Sequence, residues 1–315
     1  MLRKLVVCCI FPACVVSIAR AADPPASQPK LSAAQIVDKN VAARGGLEAW
    51  RAVQTLSLAG KLSAGGNERP SLQMPIQGRL PSGKTVVPQR PAEEIQLAFL
   101  MELKRARKMR FELQFNAQTA IQVFDGANGW KLRPFLNRQV VEPYTADEIK
   151  IASTQAELDG PLVDYAAKGS QVELAGMEKV ENRDTYKIKL TLKGGKAIHV
   201  WIDARTFLEA KMEGQPRRLD GTLHPVEVFF RDYRPVQGLQ IPYLLETRVL
   251  PVAKNAMGVK DAPVPPEKIV IETVQVNPTL DEALFSKPEA GVASASNTAA
   301  GSPEPLTSVT AAHRP

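Results

Sequence analysis

The sequence is poor in the residues that carry most catalytic chemistry. Its 315 residues include three cysteines, three histidines and only 6% aromatics. His199, His224 and His313 are too scattered for a metal site of ordinary ligand spacing. No G-x-S-x-G nucleophile turn occurs, which excludes the hydrolases built on it. Long apolar runs are missing after the first eighteen residues. The run before that point, Leu5 to Ile18, follows Arg3 and Lys4 and precedes Ala19-Arg20-Ala21. A charged start, an apolar core and small residues in that order predict an export signal cut after Ala21. The run is too short for a permanent membrane span.

Cys8, Cys9 and Cys14 all lie in this segment, so the mature chain is expected to hold no thiol and no disulfide. A chain of this length relies on its core instead of staples. Loss of Arg3, Lys4 and Arg20 leaves 37 basic residues against 33 acidic ones, a net charge of +4. That excludes the strong basic excess expected of a nucleic-acid partner. Cys14 follows Phe11-Pro12-Ala13 and invites reading as a lipidated cysteine, but Val15, Val16 and Ile18 stand where a polar tether belongs. At the other end, Gly291 to Pro315 is rich in Ala, Ser, Thr, Gly and Pro, a composition that does not repay the entropy of ordering. The expected organisation is a signal at 1–21, a linker at 22–30, one domain at 31–288 and a tail at 289–315.

Within the domain the dominant pattern is period 2. Phe111, Leu113 and Phe115 alternate with Glu112, Gln114 and Asn116, as in a strand with one buried face. Ile121 and Val123 continue after a polar break, and Asp125-Gly126 and Asn128-Gly129 supply turns before Trp130. Tyr186, Ile188, Leu190 and Leu192 alternate with lysines and threonine. A two-residue loop pairing Lys193 with Lys196 would put Ile198, Val200 and Ile202 on the face opposite Leu190; the expected three-residue loop at Lys193-Gly194-Gly195 keeps them on the face of Leu190 and leaves His199 and Trp201 with the lysines. Further strands are expected at 53–62, 94–103, 208–213, 226–231, 239–250 and 268–276. Ser32 and Thr145 mark helix starts, the second in the box Thr145-Ala146-Asp147-Glu148, which predicts a helix to about Leu158. Leu162 to Lys168 suggests a short third helix, and Leu280 to Leu284 a final turn docking Phe285. About ten strands without βαβ alternation predict an α+β fold: one large, curved antiparallel sheet covered by a few helices.

Candidate chemistry is thin. Gly78-Arg79-Leu80-Pro81-Ser82-Gly83-Lys84-Thr85 fits the G-x-x-x-x-G-K-[ST] phosphate-loop pattern. Its phosphate must meet a helix N-terminus, however, and Pro88 and Pro91 oppose a helix there while Pro75 weakens the strand before it. The pattern reads as an exposed turn. Lys104, Arg105, Arg107, Lys108 and Arg110 form a basic cluster that is either solvated surface or a dock for an acidic partner or lipid head groups. No catalytic residue, cofactor or metal is expected. Apolar surface remains, either as core or as the lining of a cavity, with Phe111, Leu113, Phe115, Ile121, Val123 and Trp130 as candidate ligand-binding residues.

Several segments resemble the outer-membrane lipoprotein-sorting proteins with a LolA/LolB-like fold. They are Gly45-Gly46-Leu47-Glu48-Ala49-Trp50 leading into Val53-Gln54-Thr55-Leu56, and Phe124-Asp125-Gly126-Ala127-Asn128-Gly129-Trp130. Asp159-Gly160-Pro161-Leu162-Val163-Asp164-Tyr165, Val236-Gln237-Gly238-Leu239-Gln240-Ile241-Pro242 and Leu280-Asp281-Glu282-Ala283-Leu284-Phe285 add to the likeness. The resemblance implies an unclosed β-barrel of about eleven strands with helices as a lid. It further implies a cavity for the acyl chains of a lipoprotein or lipid, and a carrier of the Gram-negative periplasm in place of an enzyme. Related proteins of this fold sense lipids or mislocalised lipoproteins and regulate a membrane-bound signalling partner, which is the alternative reading. The chain departs from the small carriers in its length, its 64–92 excursion and its tail.

Overall fold

Two antiparallel meanders, one from each half of the chain, meet along a single seam. The computed structural model describes residues 31–65, 94–134, 138–219, 221–253 and 264–289. The expected signal, linker and tail beyond residue 289, together with the phosphate-loop-like stretch at 78–85, lie outside the described residues. The chain divides into two units at Leu31/Ser32, and every described helix and strand belongs to the second.

The first meander contains β1 (Thr55–Gly65), β2 (Glu94–Lys104), β3 (Lys108–Phe115), β4 (Gln118–Phe124), β5 (Gly129–Arg133) and β6 (Arg138–Pro143). The second contains β7 (Gln171–Val180), β8 (Arg183–Thr191), β9 (Ala197–Asp203), β10 (Glu209–Glu213), β13 (Val226–Val236), β14 (Leu239–Val249) and β15 (Glu267–Val276). A separate small hairpin, β11 (Arg217–Leu219) with β12 (Thr222–His224), interrupts it. Helices α1 (Ala33–Ala43) and α2 (Leu47–Ala52) precede β1, and α3 (Ala146–Gln155) links the two meanders. Thirteen strands form one sheet in the order β6-β5-β4-β3-β2-β1-β15-β14-β13-β10-β9-β8-β7. The edge strands β6 and β7 do not pair with each other, so the sheet is not closed. The fold is α+β, with one large curved antiparallel sheet and few helices. Among the described residues the sheet holds thirteen strands where ten or eleven are expected, because strands such as β6 (Arg-Gln-Val-Val-Glu-Pro) carry no period-2 pattern.

Local sequence accounts for the helix ends. Ser32 and Gln35 form a capping box at α1, which buries Ile36, Val37 and Val41. Gly45 stops the helix at φ 118°. A Cβ there would lie 2.5 Å from the Gly238 carbonyl oxygen, so the site needs glycine for space as well as conformation. Trp50 of α2 is fully buried and donates from Nε1 to the Arg44 carbonyl at 3.1 Å. Thr145 and Glu148 form the expected box at α3, which ends at Gln155, three residues before Leu158. The short helix expected at 162–168 does not form. Asp164 adopts φ 52° and residues 158–169 run as turns. The final 3₁₀ turn, Glu282–Phe285, buries Phe285 as expected.

Asp125 organises the turn before Trp130, its Oδ1 accepting from the backbone N–H groups of Ala127 and Asn128. Burial pushes this carboxyl up, but those hydrogen bonds outweigh it and its pKa lies below the ordinary value. Gly129 follows with the Tyr144 ring against it, so that an added Cβ would sit 1.9 Å from a ring carbon. Gly129→Ala is therefore expected to lower unfolding free energy by about 1–3 kcal/mol in urea denaturation. Gly194→Ala, which meets nothing within 4 Å, should stay within about 0.5 kcal/mol of the parent.

Candidate functional site

Directly paired residues of an antiparallel ladder place their side chains on the same face, so the register assigns the two faces of the sheet. One row runs across five strands as Leu97–Leu62–Ile269–Leu245–Phe230. A neighbouring row runs Phe111–Met101–Leu58–Val274. All nine side chains are apolar and only partly buried. The same face continues through Val228, Met212, Val200 and Ile188. Helices α1 and α3 pack on this face. Lys131, in register with Gln122 and Phe111, pairs with Glu148 of α3. At the other end Tyr186 stacks on Phe207, whose carbonyl accepts from Asn40 of α1 at 2.8 Å.

The six sequence candidates do not share this face. Phe111, Leu113 and Phe115 lie on it, and Phe111 stacks on Phe99 with ring centroids 6.0 Å apart. Ile121 pairs with Glu112, and Val123 pairs with both Arg110 and Trp130, which puts these three on the opposite face. There Ile121, Val123 and Leu132 form a small core with Trp130 and Val141 packed against it. The shared lining expected for the six is corrected to two groups. The cause is a two-residue turn at Asn116-Ala117, both at positive φ, which opposes Phe115 to Gln118 and inverts the parity of the second strand. At the Lys193-Gly194-Gly195 loop the reading from sequence holds: Leu190 pairs with Ile198, and Lys189 with His199.

The opposite face is ionic. The basic cluster is neutralised from within the chain: Lys104 and Lys108 share Glu282, Arg105 pairs with Asp159, Arg107 with Glu157 and Arg110 with Glu112. Each cation of the cluster thus has a partner within the chain, and Arg107 and Glu282 remain half or more exposed to solvent. Those partners lie on the final turn, on the segment after α3 and, for Arg110, on β3 itself. Trp201 and Phe229 sit in a second small core on this face, with Lys211 4.1 Å from the Trp201 ring centre and Arg248 4.0 Å from that of Phe229. His199 Nδ1 lies 2.9 Å from Glu213, with no nucleophile in the pair. Among the described residues no group of three or more His, Cys, Asp or Glu is placed to hold a metal ion. None of the described helices is long and apolar enough to cross a membrane.

A recess of about 350 Å³ opens where the sheet is incompletely laddered. The β10–β13 pairing reaches Phe229 and stops, whereas β13 continues to Val236 on β14 alone. The gap is lined by Glu181, Arg183, Asp203, Thr206, Leu208, Glu209 and residues 230–233. Phe230 belongs both to this recess and to the apolar row. Asp203 accepts from the N–H groups of Arg205 and Thr206, and its outer oxygen is 3.3 Å from Arg183. Glu209 pairs with Arg44 and accepts from the Tyr233 hydroxyl at 3.1 Å. Burial, together with that carboxylate, pushes Tyr233 well above its ordinary pKa. Sequence reading misses this recess because its residues come from three separate segments with no recurring spacing. The one sign of it is that charged residues gather beside the turns at 181–183, 203–209 and 231–234.

Glu181 is held to a pKa of about 2, chiefly by hydrogen bonds from Arg231, against a smaller effect of burial, and further by Arg248. A depressed carboxylate contributes stability above its unfolded value, near 4.3, and loses it as pH falls toward 2. The side chain is 35% exposed, so the contribution is expected to be below about 1 kcal/mol. Glu181→Gln should remove part of the acid sensitivity between pH 4.5 and 2 in a series of denaturation midpoints while changing little at pH 7.

No family model and no curated protein matches the chain. Among solved structures it is similar to a DUF1329 family protein from Desulfovibrio piger, at 14% identity and TM-score 0.46, over 80% of this chain and 95% of that one. It is similar to a LolA superfamily protein from Nitrosomonas europaea, at 12% identity and TM-score 0.46, over 82% and 99%. A third likeness is to an outer membrane lipoprotein-sorting protein domain from Vibrio parahaemolyticus, at 12% identity and TM-score 0.45, over 81% and 96%. The fold itself rests on the strand ladders.

Proposed function

We propose that this protein is a periplasmic carrier that shelters the acyl chains of lipoproteins or other lipids on the helix-bearing face of its sheet, in outer-membrane lipoprotein sorting. One observation carries the reading: the row Leu97–Leu62–Ile269–Leu245–Phe230 is apolar throughout and remains only partly buried. A row that were simply core would be sealed, as Val123 and Ile188 are at 0% exposure. The residue segments quoted above for the lipoprotein-sorting family support the same reading. The function requires no catalytic group, cofactor or metal.

The driving force is apolar burial, about 0.8 kcal/mol per buried CH₂. A sixteen-carbon chain laid along the row gains on the order of 10 kcal/mol before the costs of association. That is enough for stable binding without a polar anchor.

Native mass spectrometry of the full chain, purified from the periplasm of its own host, is expected to show co-purifying lipid or lipopeptide. A fluorescent fatty acid should bind, and Leu62→Asp or Leu245→Asp should weaken it at least tenfold. A clean apo mass with no fatty-acid uptake would sink the carrier reading. Lipid-dependent capture of a membrane protein would favour the sensor instead.

A further inference from the structure

The recess beside Phe230 has a chemistry unlike the face it adjoins. Four carboxylates border it, and each is already matched by a guanidinium. Glu181 is matched by Arg231 and Arg248, Asp203 by Arg183, Glu209 by Arg44 and Asp232 by Arg234. A net anion or cation therefore gains little there, since it must displace a partner that is already in place. What the recess offers instead is a dense set of fixed acceptors and donors. A carboxylate oxygen has room for a second hydrogen bond, the planar guanidinium of Arg183 has unused N–H groups, and Thr206 and Tyr233 bring hydroxyls. Phe230 supplies an apolar ring at one wall. Its volume falls at the small end of the roughly 300–1,000 Å³ range of small-molecule sites.

Paired acceptors and donors on planar side chains, beside an aromatic face and without net charge, suit a neutral ring bearing adjacent hydroxyls. We infer that the recess binds an uncharged, hydroxyl-rich sugar ring, and that the natural cargo carries such a ring as a head group. Phe230 connects the two parts, with the ring in the recess and the acyl chain along Leu245, Ile269 and Leu62. The recess part stands alone. The cargo part rests on the acyl-chain reading above.

The test uses the full chain and probes of equal chain length, all below their micellar concentrations: octyl glucoside, octylphosphocholine and octanoate, measured by calorimetry. Octyl glucoside is expected to bind at least tenfold more tightly than the other two. Arg183→Ala and Asp232→Gly, at side chains each 47% exposed and with glycine suited to the positive φ of residue 232, should bring it down to the level of octanoate. Equal affinity for the three probes, or indifference to both substitutions, overturns the inference. If no octyl probe binds, uptake of the fluorescent fatty acid decides the carrier reading, and methyl glucoside at millimolar concentration decides the recess by NMR. Shifts at Thr206 and Tyr233 that vanish in Arg183→Ala uphold it, and their absence overturns it.

Discussion

The alternation of side chains along an antiparallel ladder governs most of this molecule. Because each pairing binds two residues to a common face, one residue of slippage would exchange the apolar row for the ionic one. Leu62 and Lys61 are neighbours in sequence, yet they belong to surfaces with opposite tasks: Leu62 joins Ile269 and Leu97, and Lys61 pairs with Glu272. The lock on register is therefore the first requirement. It is met at the seam by a bulge between Ala59 and Gly60, where β1 comes so close to β15 that a Cβ on Gly60 would lie 2.0 Å from the Val270 carbonyl oxygen.

An open sheet with one greasy face must cover that face or use it. The helices cover part of it and leave the central rows partly open. The ionic face solves a different problem, shielding the small core of Trp201 and Phe229 with long cationic side chains whose charged heads lie over the aromatic rings. The buried carboxylate of Asp159, 4% exposed and held by Arg105 and Lys168, ties the turns after α3 to the β2–β3 connection. That coupling makes the segment 158–169 a structural part of the sheet's end and not a free loop.

The architecture was legible in sequence where local chemistry decides it. Ser32 and Thr145 mark their helices, and the Gly194-Gly195 turn is plain in sequence, but its register hangs on a choice between a two- and a three-residue loop, of which the three-residue one forms. The parity of β4 was not legible. Asn116-Ala117 is a weak turn signal, since alanine seldom adopts positive φ, and one undetected two-residue turn moved Ile121, Val123 and Trp130 to the far face. The fate of the basic cluster was hidden for another reason. Its partners Glu157, Asp159 and Glu282 lie some 50 to 180 residues away in the chain, and no local rule brings them together. The recess was invisible because it arises from an absence, the early end of the β10–β13 ladder.

The order of strands carries a further consequence for how the molecule is assembled. Every neighbour in the sheet is a neighbour in sequence, apart from the small hairpin β11–β12, except at β1 and β15. Leu56 meets Val276 there, across more than two hundred residues of chain. Each meander can nucleate by short-range closure, but their union waits for the last strand to be available. Until then the two half-sheets each present a long unpaired edge and an uncovered apolar face. The slowest and most aggregation-exposed moment in the life of this protein is thus fixed by topology, at the closing of one seam.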